Sequence, residues 1–283
     1  MEFFLLLLPQ SKRKNFFFFL AKVAFYLDKK HKNVINTNLD IAGITDLKVR
    51  NECMSYCYKN LLLNFFQTLD NKLVKKDEAF KKITTKNQDI VDVITKENRP
   101  IIFVTAHYGN WEFIGMALMK CVPKLSIVYK KLNDEHFDKY LHDIRVSTGV
   151  KMIEKRGALR GVTKVLKNGE SLGLLIDQNT SIRDGIVVDF FSKTARASAT
   201  AAQIARKYDA VIVPVFITTE DEDEYVVNFK EPIIVDKTEN IEADILKATQ
   251  AQATAIQMQI KEQPKFWFWC HKRWKTEHPE LYK

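Results

Sequence analysis

After residue 100 the chain alternates short runs of apolar, mostly β-branched residues with longer stretches of helical periodicity, and this alternation restricts its fold more than any other feature. The runs that predict strands are IIFVT (101–105), LSIVY (125–129), SLGLLID (171–177) and AVIVPVFIT (210–218). Several are continuously apolar, which is typical of strands that helices cover on both faces of a largely parallel sheet. The pattern therefore predicts an α/β domain with one core.

Apolar residues recur at spacings of three and four around these strands. This periodicity predicts helices at 48–69, 88–97, 111–120, 134–148, 158–168, 197–208 and 241–262. The segment EYVVNFK (224–230) alternates polar and apolar residues and predicts an antiparallel edge strand. With 283 residues, 46% of them hydrophobic, the chain can bury a large core. We expect one domain at residues 31–283, preceded by a helical segment at residues 1–30.

The N-terminal segment contains two apolar blocks, 3–8 and 16–27, separated by PQSKRKN. Both are shorter than the ~20 residues that span a bilayer. Lysine and arginine residues flank the second block on both sides, which favours a segment lying in the headgroup region of an anionic membrane. The alternative is an aromatic-rich helix buried on the domain. Four consecutive phenylalanines form an apolar band wider than one packing stripe, so we expect residues 1–30 to be membrane-associated.

The net charge of +9 is consistent with an anionic partner, either nucleic acid, acidic lipid headgroups or a phosphorylated ligand, without choosing among them, and equally with a lysine-rich proteome. The four cysteines form no C-x-x-C pair, and no histidine pair at metal spacing accompanies them. Buried thiols in a reducing compartment are the simplest interpretation, and no metal site is expected. No G-x-G-x-x-G or Walker motif is present, so no nucleotide cofactor is expected either.

The stretch VTAHYGNWEF (104–113) places His107 at the end of a predicted strand, where functional side chains collect in such sheets. Asn110 belongs to a residue type that caps helices, which puts Glu112 in the first helical turn. We expect Glu112 to accept a hydrogen bond from one imidazole nitrogen and to leave the other free as an oriented general base. On spacing alone, a capped helix with an incidental histidine is the simpler interpretation.

An H-x-x-x-x-D/E motif after a buried strand resembles the signature of glycerolipid acyltransferases, and HYGNWE is similar to the form found in bacterial lipid A late acyltransferases. Further blocks resemble that family in the same order: VYKKLND (128–134), LIDQNTSIRDGIVVDFFSKTARAS (175–198) and WFWCHKRWKT (267–276). The resemblance extends over nearly the whole chain. It implies a glycerolipid-acyltransferase-like α/β fold, with a mixed, mostly parallel sheet flanked by helices and an N-terminal membrane-associated helical region.

The resemblance also implies substrate-binding residues. Arg145 lies where the family has an active-site arginine, and Arg156 matches a second basic position. Lys130 replaces the arginine of the family's V-Y-R-P block; it keeps the charge but cannot form a bidentate fork to phosphate. Asp177 would anchor one of these cations or act as a structural capping acid. The alternative for both Arg145 and Arg156 is an ordinary solvent-exposed charge on a helix or loop.

The reaction implied by the resemblance starts from a fatty acyl thioester presented by acyl carrier protein. His107, held by Glu112, would take the proton from a hydroxyl of a Kdo-bearing lipid A precursor, and the alkoxide would attack the thioester carbonyl. Arg145 would bind acceptor phosphates or steady the oxyanion. This implies a role in lipopolysaccharide or lipooligosaccharide biosynthesis at the cytoplasmic face of the inner membrane, on its anionic surface, with no metal, no cofactor and no nucleic acid.

Two other kinds of function stay open at this point. The protein could acylate another membrane lipid, such as glycerol phosphate, lysophosphatidate or a glycolipid. It could instead be a membrane-bound lipid-binding or nucleic-acid-binding protein without activity. The nucleic-acid alternative relies on the net charge and on the tail FWFWCHKRWK, whose Trp267, Trp269 and Trp274 could stack on bases, lie at a membrane interface or form a wall of a lipid site.

Overall fold

The computed structural model describes residues 7–70, 73 and 76–283; residues 1–6 of the predicted membrane-associated segment lie outside this range. The helices of this part are α1 (Gln10–Leu27), α2 (Lys29–Ile41), α3 (Leu47–Asp70), α4 (Lys76–Lys81), α5 (Gln88–Lys96), α6 (Ile114–Leu118), α7 (Glu135–Ser147), α8 (Ala158–Lys167), α9 (Thr200–Tyr208) and α10 (Ile241–Glu262), with 3-10 turns at Pro264–Phe266 and Pro279–Tyr282. The strands are β1 (Ile83–Lys86), β2 (Ile101–Thr105), β3 (Leu125–Tyr129), β4 (Lys151–Glu154), β5 (Ser171–Leu175), β6 (Gly185–Phe190), β7 (Lys193–Ser198), β8 (Val211–Thr218) and β9 (Tyr225–Phe229).

Seven of these strands form one sheet in the order β1-β9-β8-β2-β5-β3-β4. All neighbours are parallel except β8 and β9, which run antiparallel. The strands β6 and β7 form a separate antiparallel hairpin. The expectation of a mixed, mostly parallel sheet flanked by helices is therefore confirmed.

The central strand β2 explains why the apolar runs are continuous rather than alternating. All five of its residues are buried. Phe103 faces an apolar layer beneath α5 and α6, whereas Ile102 and Val104 face a second layer beneath α8 and α9. Because helices cover both faces, every position of the strand is apolar or small.

The four predicted strands after residue 100 are confirmed, and so is the antiparallel pairing of the segment at 224–230. Its predicted position at the edge of the sheet is wrong, because β1 pairs with its outer side through Ile83 and Tyr225. The predicted helix at 197–208 begins only at Thr200, since residues 193–198 form β7.

The predicted helix at 111–120 is also shorter, spanning Ile114–Leu118. The backbone before it forms a turn, in which the N–H groups of Phe113 and Ile114 donate to the Asn110 carbonyl and side chains add further hydrogen bonds. Asn110 Oδ1 accepts from the Phe113 N–H at 3.2 Å, and Asn64 Oδ1 accepts from the Glu112 N–H at 3.0 Å. The helix therefore starts after this turn.

The N-terminal helix α1 packs on α3 along one stripe. Phe17 is buried against Phe66, with ring centroids 6.1 Å apart, and the buried Arg13 forms an ion pair with Asp70. An opposite set of large side chains is exposed, among them Phe19 (61%), Tyr26 (75%) and Leu27 (77%). Within the described residues, none of the helices combines the length and the apolar character needed to cross a bilayer.

Candidate active site

A cleft of about 1120 Å³ opens at the carboxyl ends of β2, β3 and β5. The residues that follow these strands line it, namely His107 after β2, Lys130 after β3 and Gln178 after β5. Helices α3 and α7 contribute lining residues on one side, and α8 and α9 contribute them on the other. The structure therefore brings the residues that follow three strand ends to one cleft.

His107 is held by the strand next to its own. Thr105 and Leu175 pair in register between the parallel strands β2 and β5, so the residues that follow each strand end lie side by side. The imidazole Nδ1 of His107 lies 2.7 Å from Asp177 Oδ1, and the backbone N–H of His107 donates to Asp177 Oδ2 at 3.0 Å. One buried carboxylate thus fixes both the ring and the backbone of the histidine.

The predicted hydrogen bond between Glu112 and the imidazole is wrong. Glu112 instead accepts two hydrogen bonds from Arg145, from Nε at 3.0 Å and from Nη2 at 2.8 Å. Two tertiary contacts explain the difference: β5 brings Asp177 to the ring, and α7 brings the Arg145 guanidinium to Glu112. Asp177 therefore anchors the imidazole rather than a substrate-binding arginine or lysine.

The electrostatics of this pair suit a general base. Burial lowers the pKa of His107, but the charge of Asp177 and its hydrogen bond, with a smaller effect of Glu112, outweigh it, so the pKa of His107 is raised. Burial raises the pKa of Asp177, yet its contacts with His107 and Trp267 prevail and bring it to about 2. The carboxylate stays ionised, and Nδ1 of the neutral ring donates to it, so Nε2 carries the lone pair.

The amide of Gln178 lies against that lone pair. Its Nε2 is 3.3 Å from Nε2 of His107, the ring nitrogen that does not face Asp177. The His107 side chain is 21% exposed, so this face of the ring is accessible from the cleft. A ligand that binds at Nε2 must displace the Gln178 amide.

The C-terminal segment supports the carboxylate from behind. Trp267 Nε1 donates to Asp177 Oδ2 at 2.9 Å. Trp267, Trp269 and Trp274 are all buried, at 1%, 0% and 0% exposure. The alternative in which these rings stack on bases or lie at a membrane interface is therefore contradicted, because none of them reaches the surface.

Two further residues of this segment fix the loop after β5, and the sequence did not predict their roles. His271 Nε2 accepts from the backbone N–H of Asn179 at 2.8 Å, and burial lowers the pKa of His271 to about 4, so it is neutral at pH 7. The buried Arg273 donates from Nη1 to the carbonyl oxygen of Gln178 at 3.3 Å. The positions of Asp177 and Gln178 thus depend on contacts made about 95 residues further along the chain.

The loop after β2 is fixed by α3, and the sequence did not predict this either. Asn60 Nδ2 donates to the Gly109 carbonyl at 2.8 Å, and Asn64 adds a second bond to the same oxygen at 3.3 Å. Gly109 has φ +55°, and a Cβ there would lie 1.8 Å from the Ile217 carbonyl oxygen, so only glycine fits. Two asparagines four residues apart on the buried side of an apolar helix were the available signal.

The walls of the cleft differ in chemistry. Apolar side chains cover much of the inner surface: Leu61, Phe65, Met116, Ile127, Ile144, Val150 and Met152. Cations line other parts: Lys130, Lys131, Arg145, Lys155 and Lys207. The predicted Arg145 and Lys130 are thus at the cleft, whereas Arg156 is exposed and is not among the lining residues.

The comparisons with known proteins agree on one chemistry. The family model described as "Bacterial lipid A biosynthesis acyltransferase" matches residues 1–276. A phosphatidylinositol mannoside acyltransferase of Mycobacterium tuberculosis is 24% identical over 196 residues, 68% of this chain and 60% of that protein. The lipid A biosynthesis palmitoleoyltransferase of Escherichia coli K12 is 22% identical over 182 residues, 64% of this chain and 57% of that protein. The matches thus span about 60% of the length of these curated relatives.

Among solved structures, the 1-acyl-sn-glycerophosphate acyltransferase PlsC of Thermotoga maritima is similar over 88% of this chain and 98% of that chain, at 14% identity and a TM-score of 0.37.

Proposed function

Since this chain belongs to the bacterial lipid A biosynthesis acyltransferase family, we propose that it transfers a fatty acyl chain from acyl carrier protein to a hydroxyl of a Kdo-bearing lipid A precursor. One observation carries the proposal: the imidazole of His107 lies at the cleft with Nδ1 fixed by a buried, ionised Asp177. That arrangement leaves Nε2 as the acceptor for a substrate proton.

In this mechanism His107 Nε2 takes the proton of the acceptor hydroxyl as its oxygen attacks the thioester carbonyl. The O–C bond forms, the C–S bond breaks, and the imidazolium returns the proton to the departing thiolate. Asp177 stabilises the imidazolium, in line with the raised pKa of His107. Because a thioester is already activated, transfer is direct and no acyl-enzyme forms.

Gln178 and Arg145 have complementary roles in this scheme. The incoming hydroxyl replaces the Gln178 amide at Nε2, and the displaced N–H then donates to the thioester carbonyl oxygen as negative charge develops there. Arg145 uses Nε and Nη2 for Glu112, so its guanidinium is held in one orientation. Its other N–H groups can then bind a phosphate of the acceptor.

The cleft offers surfaces for both substrates. Its apolar wall, which includes Leu61, Phe65 and Met116, suits a fatty acyl chain. Lysines on the same cleft, among them Lys130 and Lys207, suit the phosphates and sugar-acid carboxylates of the acceptor. Arg156 lies outside the cleft, so we do not assign it to the acceptor.

The helix α1 would hold the protein on the cytoplasmic face of the inner membrane. Phe19, Tyr26 and Leu27 are exposed beside Lys22 and Lys29, a pattern that suits the headgroup region of an anionic leaflet. Its packing on α3 through Phe17 would keep the domain close to the surface.

The test combines two measurements. Mass spectrometry of lipid A from cells with and without the protein should show one secondary acyl chain lost in its absence. Purified protein should transfer acyl chains from acyl carrier protein to a Kdo-bearing precursor, and His107→Ala should lower kcat at least about a hundredfold with an unchanged circular dichroism spectrum.

A second acceptor is favoured by the similarity to phosphatidylinositol mannoside acyltransferases, which are acyltransferases of another glycolipid. The same transfer assay run with a mannosylated phosphoinositide separates the two. Lipid A that is unchanged without the protein, together with efficient acylation of the glycolipid, would overturn the proposed acceptor and leave the base mechanism in place.

A further inference from the structure

The outer surface of α8 carries a set of cations that the mechanism does not use. Val162, Val165 and Leu166 face the sheet and are buried. The exposed side carries the α8 basic surface, which we define as Arg156, Arg160, Lys164 and Lys167. From Lys155 to Gly169 the sequence contains no acidic residue.

The α8 basic surface is not neutralised by the protein itself. No carboxylate in the described ranges forms an ion pair with any of its four members. By contrast, Lys151 is paired with Glu170 at 3.1 Å and Arg206 with Asp244 at 3.0 Å. Four cations close together without a paired carboxylate raise the local positive potential, and this potential attracts an anionic partner.

The charge continues from α8 onto α9. Thr163 Oγ1 and the Tyr208 hydroxyl lie 2.7 Å apart, so the two helices are in contact. This hydrogen bond, and with a smaller effect Lys207 and Lys167, lowers the pKa of Tyr208. Lysines from both helices therefore act on the same region of the surface.

The position of α8 relative to the cleft indicates the size of the partner. Lys155, Ala158 and Leu159 line the cleft, whereas the four cations do not. From Leu159 to Lys167 the helix extends about 12 Å, at 1.5 Å per residue. An acceptor headgroup with its hydroxyl at His107 lies inside the cleft, so cations on the outer side of α8 suit a larger body docked beside the opening.

On the basis of the proposed function, we propose that the α8 basic surface docks the acidic carrier protein that delivers the acyl thioester, so that its thioester arm enters the cleft past Leu159. A membrane surface fits α8 less well, because the apolar side of this helix is packed on the sheet. The exposed aromatic residues Phe19 and Tyr26 are on α1, which packs on α3. The two surfaces therefore suit different partners.

The test is the affinity of purified holo-acyl carrier protein, measured by fluorescence anisotropy. The variant R160E/K164E/K167E reverses three charges that do not line the cleft and do not contact His107. The matched control K81E/K86E/K96E makes the same change around β1, at the opposite edge of the sheet. We expect affinity at least about tenfold weaker in the α8 variant, within about twofold of wild type in the control, and a wild-type affinity that falls steeply with salt.

Two further measurements identify what has failed if the result differs. With acyl-pantetheine, a donor without the carrier protein, kcat of the α8 variant should equal that of wild type, while the KM for acyl carrier protein rises. Neutral R160Q/K164Q/K167Q should show an intermediate affinity, and equal melting temperatures would confirm that all variants are folded. If the α8 variant bound acyl carrier protein as tightly as the wild type, the docking site would be overturned. The same conclusion would follow if the α8 variant lost binding to phosphatidylglycerol vesicles but kept its affinity for acyl carrier protein. A wild-type protein that transfers no acyl chain from any thioester would instead overturn the proposed function.

Discussion

The substitution Asp177→Asn tests which acid orients the base. Asp177 accepts from Nδ1 and the backbone N–H of His107 and from Trp267 Nε1. An asparagine has the same shape, but its NH₂ must face one of these donors. If it faces the ring, Nδ1 becomes the acceptor and the proton moves to Nε2, where the substrate hydroxyl has to bind.

The magnitude follows from the pKa of the carboxylate. A pKa of about 2 instead of the ordinary 3.8 corresponds to about 2 kcal/mol in favour of the ionised form. This contribution to stability is present above pH 3.8 and is lost as the pH falls through about 2. Together with the wrong tautomer, loss of the charge should lower kcat by roughly 10²–10⁴.

The pH profile gives the sharper readout. In the wild type the pKa of His107 is raised, so the rate should fall as the pH drops through a value above the ordinary 6.5. Without Asp177, burial prevails and the pKa falls, so the residual activity of Asp177→Asn should persist to lower pH. The assay is kcat against pH with saturating acyl thioester and acceptor.

Glu112→Gln is the matched control, since it also removes one carboxylate charge from the site. It disrupts the pair with Arg145 and lowers the rate, but it keeps the contacts of Asp177 with His107. The acid limb of its profile should stay close to that of the wild type, because Glu112 is the weakest of the contributions to the pKa of His107. The reasoning would be refuted if kcat of Asp177→Asn stayed within about threefold of the wild-type value while the acid side of the pH profile shifted in Glu112→Gln.

Three other perturbations follow from the same geometry. Trp267→Phe removes a donor to the buried Asp177 and should lower the free energy of unfolding by about 1–3 kcal/mol in a denaturant titration; an unchanged midpoint would mean that this bond contributes nothing. Lys130→Ala should raise the KM for a phosphorylated acceptor about fivefold, with Lys130→Arg close to wild type, and equal KM values would make it an ordinary surface charge. Phe19→Ser combined with Tyr26→Ser should reduce flotation with anionic vesicles at least about tenfold without altering the melting temperature, because both side chains are exposed; complete release of the wild type by salt would show that attachment is electrostatic.

Local patterns in the sequence determined much of the framework. The continuous apolar runs predicted the central strands, and the position of His107 after one of them predicted a functional strand end. The strand predictions succeeded because burial on both faces of a parallel sheet restricts every residue of a strand. The hairpin of β6 and β7 was missed, although GIVVDF and KTARAS carry short alternations that could have indicated it.

The partner of the imidazole was decided only by the tertiary structure. Glu112 is five residues from His107 and Asp177 is seventy, yet the register between β2 and β5 brings Asp177 to the ring. Glu112 is drawn away by Arg145, which α7 supplies from 33 residues further along the chain. Sequence spacing records only contacts along one segment, whereas the order of strands in a sheet is set by the packing of all its layers, so the acid that holds the base could not be identified before the strands were placed.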